Sequence, residues 1–329
     1  VNVLLVRIDG IGDAIVCAPL VAALRDAGHT VGALLTTRNA EAFAEGTFAH
    51  VHVVERIPWP EHGSTATSYA AALAGARAAR YDAALVISEE PEAYRFALEC
   101  GATTRAGFTN GWEKPLKSVW TRSLLTHAHV REASAWRARG HEVEAIFALG
   151  AGLHGERAPT RDLRRLRPLV AGGDARADDA ADIALQVARK IHATPAGAAE
   201  FRAIARGVAD RHRAVVVAAE DDAELARSLA AQLGLDCRTY ARVACWRDAL
   251  ADARAVVTPD GGAAHLAGMA GVPCVDLFRL WPHAAYDVRR WRPWAAPART
   301  LLASSEPAAT AAAVLAAFEE LPLRARTVA

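Results

Sequence analysis

Two short stretches of this sequence combine glycines with an acid or an imidazole at spacings that permit chemistry. The first, VLLVRIDGIGDAIVCAP, is an apolar run that breaks into Gly10-Ile11-Gly12 and then places Asp13 where a helix is expected to begin. A carboxylate there can do either of two things. It can cap the helix, accepting from its exposed N–H groups for about 1 kcal/mol, or it can act as a general base toward a hydroxyl brought to the bare glycine turn. The second stretch, VVTPDGGAAHLAGMAGVPCVDLF, ends a strand at Asp260, continues through Gly261 and Gly262, and opens a helix with His265 near its start. That arrangement suits an anion. The glycines let backbone approach a phosphate, the unpaired N–H groups of the new helix point at it, and His265 adds a donor from the same end. A tight turn with a capping aspartate and a satisfied histidine is the plainer alternative.

Several other chemistries are excluded. Gly10-Ile11-Gly12 is not a dinucleotide fingerprint, because Ile15 stands where G-x-G-x-x-G needs its third glycine, and Asp13 would occupy the positive helix end that a pyrophosphate requires. No G-x-x-x-x-G-K-[ST] occurs, so a P-loop is absent. The five cysteines, Cys17, Cys100, Cys237, Cys245 and Cys274, include no C-x-x-C pair, which argues against a zinc site and a disulfide framework. With 38 basic and 37 acidic residues the chain has no overall basic surplus for nucleic acid. No apolar run reaches the roughly 18 residues of a membrane span, and no signal-peptide pattern precedes the first strand. A cytoplasmic protein is expected.

The elements that must position these residues alternate along the chain. Segments 2–6, 30–36, 51–55, 83–88 and 104–109 read as strands, with helices after Asp13, over 67–80 and after Pro91. A second set of strands follows at 182–188, 213–219, 237–241, 255–260 and 273–278, again separated by helix-length segments. The expected fold is therefore α/β, with two doubly wound domains over 1–160 and 161–329. A helix at 132–149 closes the first domain, the Gly-, Arg- and Asp-rich segment 150–182 reads as a linker, and the helix 307–321 is a candidate to return to the first domain. Such domains hold ligands at the carboxyl ends of their strands, where both glycine turns fall.

Together the two motifs resemble glycosyltransferase family 9, the bacterial lipopolysaccharide heptosyltransferases. The family's first strand ends in a basic residue, then a G-D turn and a Leu/Ala-Pro, matched here by Arg7, Gly12-Asp13 and Ala18-Pro19. Its late motif D-[TSG]-G-x-x-H-[LI]-A is matched by Asp260 through Ala267. A third likeness is GHEVEAIFALGAGL at 140–153, similar to the family's H-x-V-E helix. Two positions depart from the pattern: VARKIHATPAGAAEF keeps only Lys190 and Phe201 of the family's second-domain entrance, and Arg279 stands where the family's L-F-G has glycine.

The resemblance implies a GT-B fold, two Rossmann-like domains facing across a cleft, and a metal-independent inverting transfer from a nucleotide-sugar such as ADP-heptose. Asp13 is then the general base, with Arg7, Gly10 and Gly12 on the acceptor side. Asp260, Gly261, Gly262, His265, Lys190 and Arg279 surround the donor diphosphate, and Glu220 or Glu224 meets the ribose or base. No cofactor is implied, and no D-x-D, the usual metal-binding pair of sugar transferases, occurs. A basic segment holding Lys114, Lys117, Arg122, Arg131, Arg137 and Arg139 against Glu132 suits an acidic glycolipid or glycan acceptor, or is a solvated loop. Membrane association is expected to be peripheral at most, at the inner face of the inner membrane. The alternatives are a diverged nucleotide- or glycan-binding relative without turnover, acting in a larger assembly, and, more distantly, a nucleotide-sugar epimerase.

Overall fold

The computed structural model describes residues 1–57, 63–132, 134, 140–172 and 182–325. The chain divides into two compact units, Val1–Arg161 and Asp162–Ala329. In the first, six strands, β1 (Asn2–Arg7), β2 (Thr30–Thr36), β3 (His50–Val54), β4 (Ala83–Val86), β5 (Thr104–Thr109) and β6 (His127–Val130), form one sheet in the order β3-β2-β1-β4-β5-β6. Every neighbouring pair is parallel. β1 and β4 are central because their runs of Val, Leu and Ala are buried on both faces, as a parallel sheet covered by helices requires. One face of this sheet, with Leu4, Val6, Leu34 and Val86, packs against Tyr94 and Phe96 of the helix Pro91–Glu99.

The second unit repeats the plan. Its strands are β7 (Ile183–Gln186), β8 (Ala214–Ala219), β9 (Asp236–Tyr240), β10 (Ala255–Pro259), β11 (Cys274–Phe278) and β12 (Ala298–Leu302), ordered β12-β11-β10-β7-β8-β9 and parallel throughout. Counted from each unit's first strand, the two orders are the same. In each sheet the order reverses beside the first strand, between β1 and β4 and between β7 and β10, and ligands of doubly wound sheets bind outside the carboxyl ends at that point.

Several expectations are corrected. β6 and β12 were not anticipated, and the first of them lies within the basic segment, which also holds the helix Pro115–Leu124. The helix foreseen at 132–149 runs from Glu142 to Leu149, because His141 is its N-cap: the ring accepts from Val143 N–H while Glu144 accepts from His141 N–H. The segment taken for a linker contains the helix Leu163–Val170, whose Leu166, Leu169 and Val170 are buried in the second unit. The final helix, Pro307–Glu319, packs on the helix Pro195–Ala209 and on β11 and β12 of its own unit. The approach is close, since a Cβ on Gly207 would stand 2.5 Å from Leu315.

Candidate functional site

At the first unit's reversal point the turn after β1 is organised around Arg7. Its side chain is only 2% exposed, yet it carries a guanidinium. Nε donates to the Asp13 carbonyl at 3.0 Å, Nη1 to the Ile87 carbonyl at 2.8 Å, and Nη2 to Asp13 Oδ1 at 2.8 Å. Asp9 Oδ2 lies 3.4 Å from Nη1. Burial works against the charge, but Asp9 and then Asp13 outweigh it and raise the Arg7 pKa above its ordinary value. Arg7, expected on the acceptor side, is thus a buried group that fixes Asp13.

Asp13 does not cap a helix. The short helix Ile11–Ile15 has Gly10 as its N-cap, without a side-chain cap, and the Asp13 carboxylate turns back to Arg7. Of the two readings left open above, the cap is therefore removed. One carboxylate oxygen is held by Arg7; the other, Oδ2, stands 3.0 Å from where a Cβ on Gly10 would be. Glycine at position 10 keeps the approach to that oxygen bare. Gly12 lies inside the short helix, its carbonyl accepting from Val16 N–H.

Two residues that the sequence did not single out, Ser88 and Asn39, complete the turn together with Cys17. The Ser88 hydroxyl donates to Asp9 and accepts from Ile8 N–H, tying the ends of β4 and β1 together. Buried Asn39 donates to the Asp9 and Arg7 carbonyls. Cys17, against the same turn, is pushed up to about 12 by burial, so its thiol stays protonated and inert at neutral pH.

The basic segment contributes less free charge than its composition suggests. Lys117 donates to Glu89 Oε2 at 3.1 Å, and Arg131 bridges Glu89 to buried Glu142, with Nη2 2.6 Å from Glu142 Oε1. Glu89 also accepts from Asn110. Although burial opposes it, the surrounding Arg131, Asn110 and Lys117 hold the Glu89 carboxyl below its usual range. Lys114 and Arg122 remain exposed. Arg137 and Arg139 lie outside the described residues.

At the second unit's reversal point, Asp260 follows β10 and its N–H donates to the Leu277 carbonyl. Gly261 has φ +153° and ψ −160°, a conformation nearly confined to glycine. Its neighbour is Lys190, from the short helix after β7: Lys190 Nζ donates to the Asp260 carbonyl at 2.6 Å and would stand 3.4 Å from a Cβ on Gly261. Arg279, just past β11, reaches the Lys190 carbonyl at 3.4 Å. Lys190, Arg279 and the two glycines are therefore one cluster, with the N-terminus of the helix Gly262–Ala270 opening onto it. His265, in that helix's first turn, is buried with its ring 5.9 Å from Trp291, edge to face. Glu220 and Glu224 are exposed at the end of β8, beside Arg189, which donates to the Asp221 carbonyl and pairs with Asp222.

Below the glycine turn lies a residue the sequence did not flag. Asp276, on β11 opposite Thr258, is fully buried, and neither carboxylate oxygen has a hydrogen-bond partner. Its strand neighbours Val275 and Leu277 belong to the core under Pro195–Ala209 and Pro307–Glu319, so Asp276 faces the layer of Gly262–Ala270. Burial, reinforced by Asp260 and opposed by Lys190, raises its pKa well above the carboxylate range. An acid inside PCVDLF was the available signal. Among the described residues no group of three or more His, Cys, Asp or Glu side chains is placed to hold a metal ion.

No protein-family model matches the chain, and a comparison with curated proteins found no match. Solved structures do match. The E. coli heptosyltransferase WaaC with ADP superposes with a TM-score of 0.73 at 18% identity, over 97% of this chain and 99% of that one. The E. coli ADP-heptose lipopolysaccharide heptosyltransferase II gives 0.68 at 16% identity, over 97% and 100%. A glycosyl transferase of family 9 from Veillonella parvula DSM 2008 gives 0.69 at 14% identity, over 92% and 86%. At these identities the likeness is one of fold, and the chain has the GT-B-like architecture of two Rossmann-like domains found in those structures.

Proposed function

We propose that this protein is an inverting, metal-independent glycosyltransferase of the family 9 kind. It moves heptose or a related sugar from a nucleoside-diphosphate sugar, ADP-heptose first, to a lipopolysaccharide core or another glycoconjugate in the cytoplasm. The observation that carries this reading is the Asp13 carboxylate, held through one oxygen by buried Arg7 while the other borders the bare Gly10 turn. A carboxylate fixed in this way is oriented before substrate arrives, which a general base requires. The lysine-braced glycine turn of the second unit supports the donor side, as does the ADP named with the WaaC structure.

In this reaction the acceptor hydroxyl gives its proton to Asp13 Oδ2 while its oxygen bonds to the anomeric carbon of the donor. The bond from that carbon to the diphosphate breaks on the opposite side, and the electron pair leaves with the phosphate. Lys190, Arg279 and the N–H groups at Gly261 and Gly262 take up the developing charge, so no metal ion is needed. Glu220 or Glu224 meets the ribose hydroxyls. Lys114 is an exposed cation for an acidic acceptor; Lys117 serves only by giving up Glu89.

A second reading, a nucleotide- or glycan-binding relative without turnover, draws on one observation: Arg279 leans on the Lys190 carbonyl and fills space at the turn that the family leaves to glycine. Calorimetry with ADP, GDP and UDP, followed by turnover of ADP-heptose with a deacylated core acceptor, separates the two. Binding with transfer supports the first reading and binding alone the second. Absence of binding by all three nucleotides refutes the first reading and the nucleotide-binding form of the second.

A further inference from the structure

The helix Pro115–Leu124 packs Trp120 and Leu124 against the core yet carries large apolar groups on its outer face as well. Its buried positions are Ser118 and Thr121, whose hydroxyls are satisfied locally by the Gly111 and Ser118 carbonyls. Its outward positions are Leu116 and Val119, 87% and 71% exposed, and the turn before it presents Trp112 at 95%. Leu116 and Val119 are three residues apart and so share a face. Val130, at the end of the edge strand β6, is also exposed and lies beside Gly111, its Cγ1 3.2 Å from where a Cβ there would be. By contrast Trp120 of the same helix turns inward, onto Tyr94 and under Arg95. A soluble surface helix keeps its large apolar groups on the core side and leaves polar groups on the outer face.

Charge identifies what covers this face. From Lys114 to Arg131 the chain contains no acidic residue, although acids and bases nearly balance over the whole sequence. Lys114 and Arg122 flank the apolar stripe and are exposed. An exposed indole with leucine and valine on one face, bordered by cations, is the composition of an element lying in the headgroup region of an anionic bilayer. No helix among the described residues is long and apolar enough to cross a membrane, so the contact is a surface one. We propose that Trp112, Leu116 and Val119, with Lys114 and Arg122, form a docking face for an anionic phospholipid bilayer. This face is defined by the first unit's surface alone and does not depend on the transferase reading.

The test is co-sedimentation of the purified full chain with vesicles of phosphatidylcholine alone and of an equal mixture of phosphatidylcholine and phosphatidylglycerol. The chain is expected to pellet with the mixed vesicles, to be released by salt, and to pellet weakly with phosphatidylcholine. The double variant Trp112→Ser/Leu116→Ser should lower the partition coefficient by about tenfold or more, and Lys114→Glu/Arg122→Glu by about twentyfold or more. All four positions are exposed, so the variants are expected to fold, which circular dichroism checks. Brominated lipid should quench wild-type tryptophan fluorescence more than that of Trp112→Ser. Failure to pellet with mixed vesicles, equal binding to both compositions, or binding indifferent to the two apolar substitutions overturns the proposal. So does a concentration-dependent dimer in solution that the apolar substitutions abolish, since the face would then belong to a second copy.

Discussion

Asp276 provides a test that needs no substrate. In the unfolded chain it is an ordinary aspartate, with a pKa of about 3.9. In the folded protein burial without any hydrogen-bond partner raises that value well above the usual range. Between the two values the native state holds a proton that the unfolded state has released. Wild-type stability is therefore fully supported at this site below the unfolded pKa and is lost as pH rises, by up to about 1.4 kcal/mol per pH unit, until the folded pKa is passed. Asp276→Asn keeps the shape and removes the titration. Its amide is also unpartnered, which adds a constant offset, so the slope carries the information and the offset does not. The stability difference between variant and wild type should widen in the variant's favour as pH rises above the unfolded pKa, by up to about 1.4 kcal/mol per pH unit, and level off below about pH 3. Urea unfolding, followed through the transition of the second unit, which contains Trp246, Trp281, Trp291 and Trp294, measures it. A difference that does not change with pH would show that Asp276 is ionised in the fold, and the argument from its burial would fail.

Other outcomes follow from the two turns. Asp13→Asn should lower turnover by about 10²-fold or more while the fold survives, because Arg7 keeps the Ile87 carbonyl and Asp9; a variant as active as wild type would remove Asp13 from the chemistry. Lys190→Ala should weaken ADP binding by about tenfold or more and His265→Ala by about 1–2 kcal/mol, read by calorimetry; unchanged affinity in both would move the donor away from the glycine turn. Transfer activity should persist in EDTA, and a loss restored by Mg²⁺ or Mn²⁺ would overturn the metal-independent mechanism.

Much of the fold was legible because parallel strands buried on both faces write themselves as apolar runs. Segments 30–36 and 104–109 were read with the same limits that β2 and β5 have. The two strands that escaped, β6 and β12, are both outermost in their sheets. His127-Ala-His-Val130 and Ala298-Arg-Thr-Leu-Leu302 are half exposed, so neither has a continuous apolar run or a strict alternation to betray it. The helix Leu163–Val170 was hidden by its four arginine and proline positions, although Leu166, Leu169 and Val170 lie on one buried side. At the sites, Gly10, Asp13 and the Asp260 turn could be named because glycines next to polar groups at strand ends are informative alone. Asp9, Ser88, Asn39 and Asp276 could not, since each matters through a partner, or a missing partner, that only the folded chain supplies.

The shared strand order of the two sheets has a consequence for discrimination. The same crevice is built twice, but around charges of opposite balance. In the first, one guanidinium, Arg7, is set against two carboxylates, Asp9 and Asp13. In the second, two cations, Lys190 and Arg279, gather at a turn whose nearby surface carboxylate is Asp260, while burial pushes the Asp276 carboxyl toward its neutral form. A doubly or triply anionic ligand that strays to the first crevice meets repulsion, and the same ligand at the second meets attraction, before any base or sugar is recognised. In the transferase reading proposed above, the sign of the field at each turn would direct the donor diphosphate to the second unit.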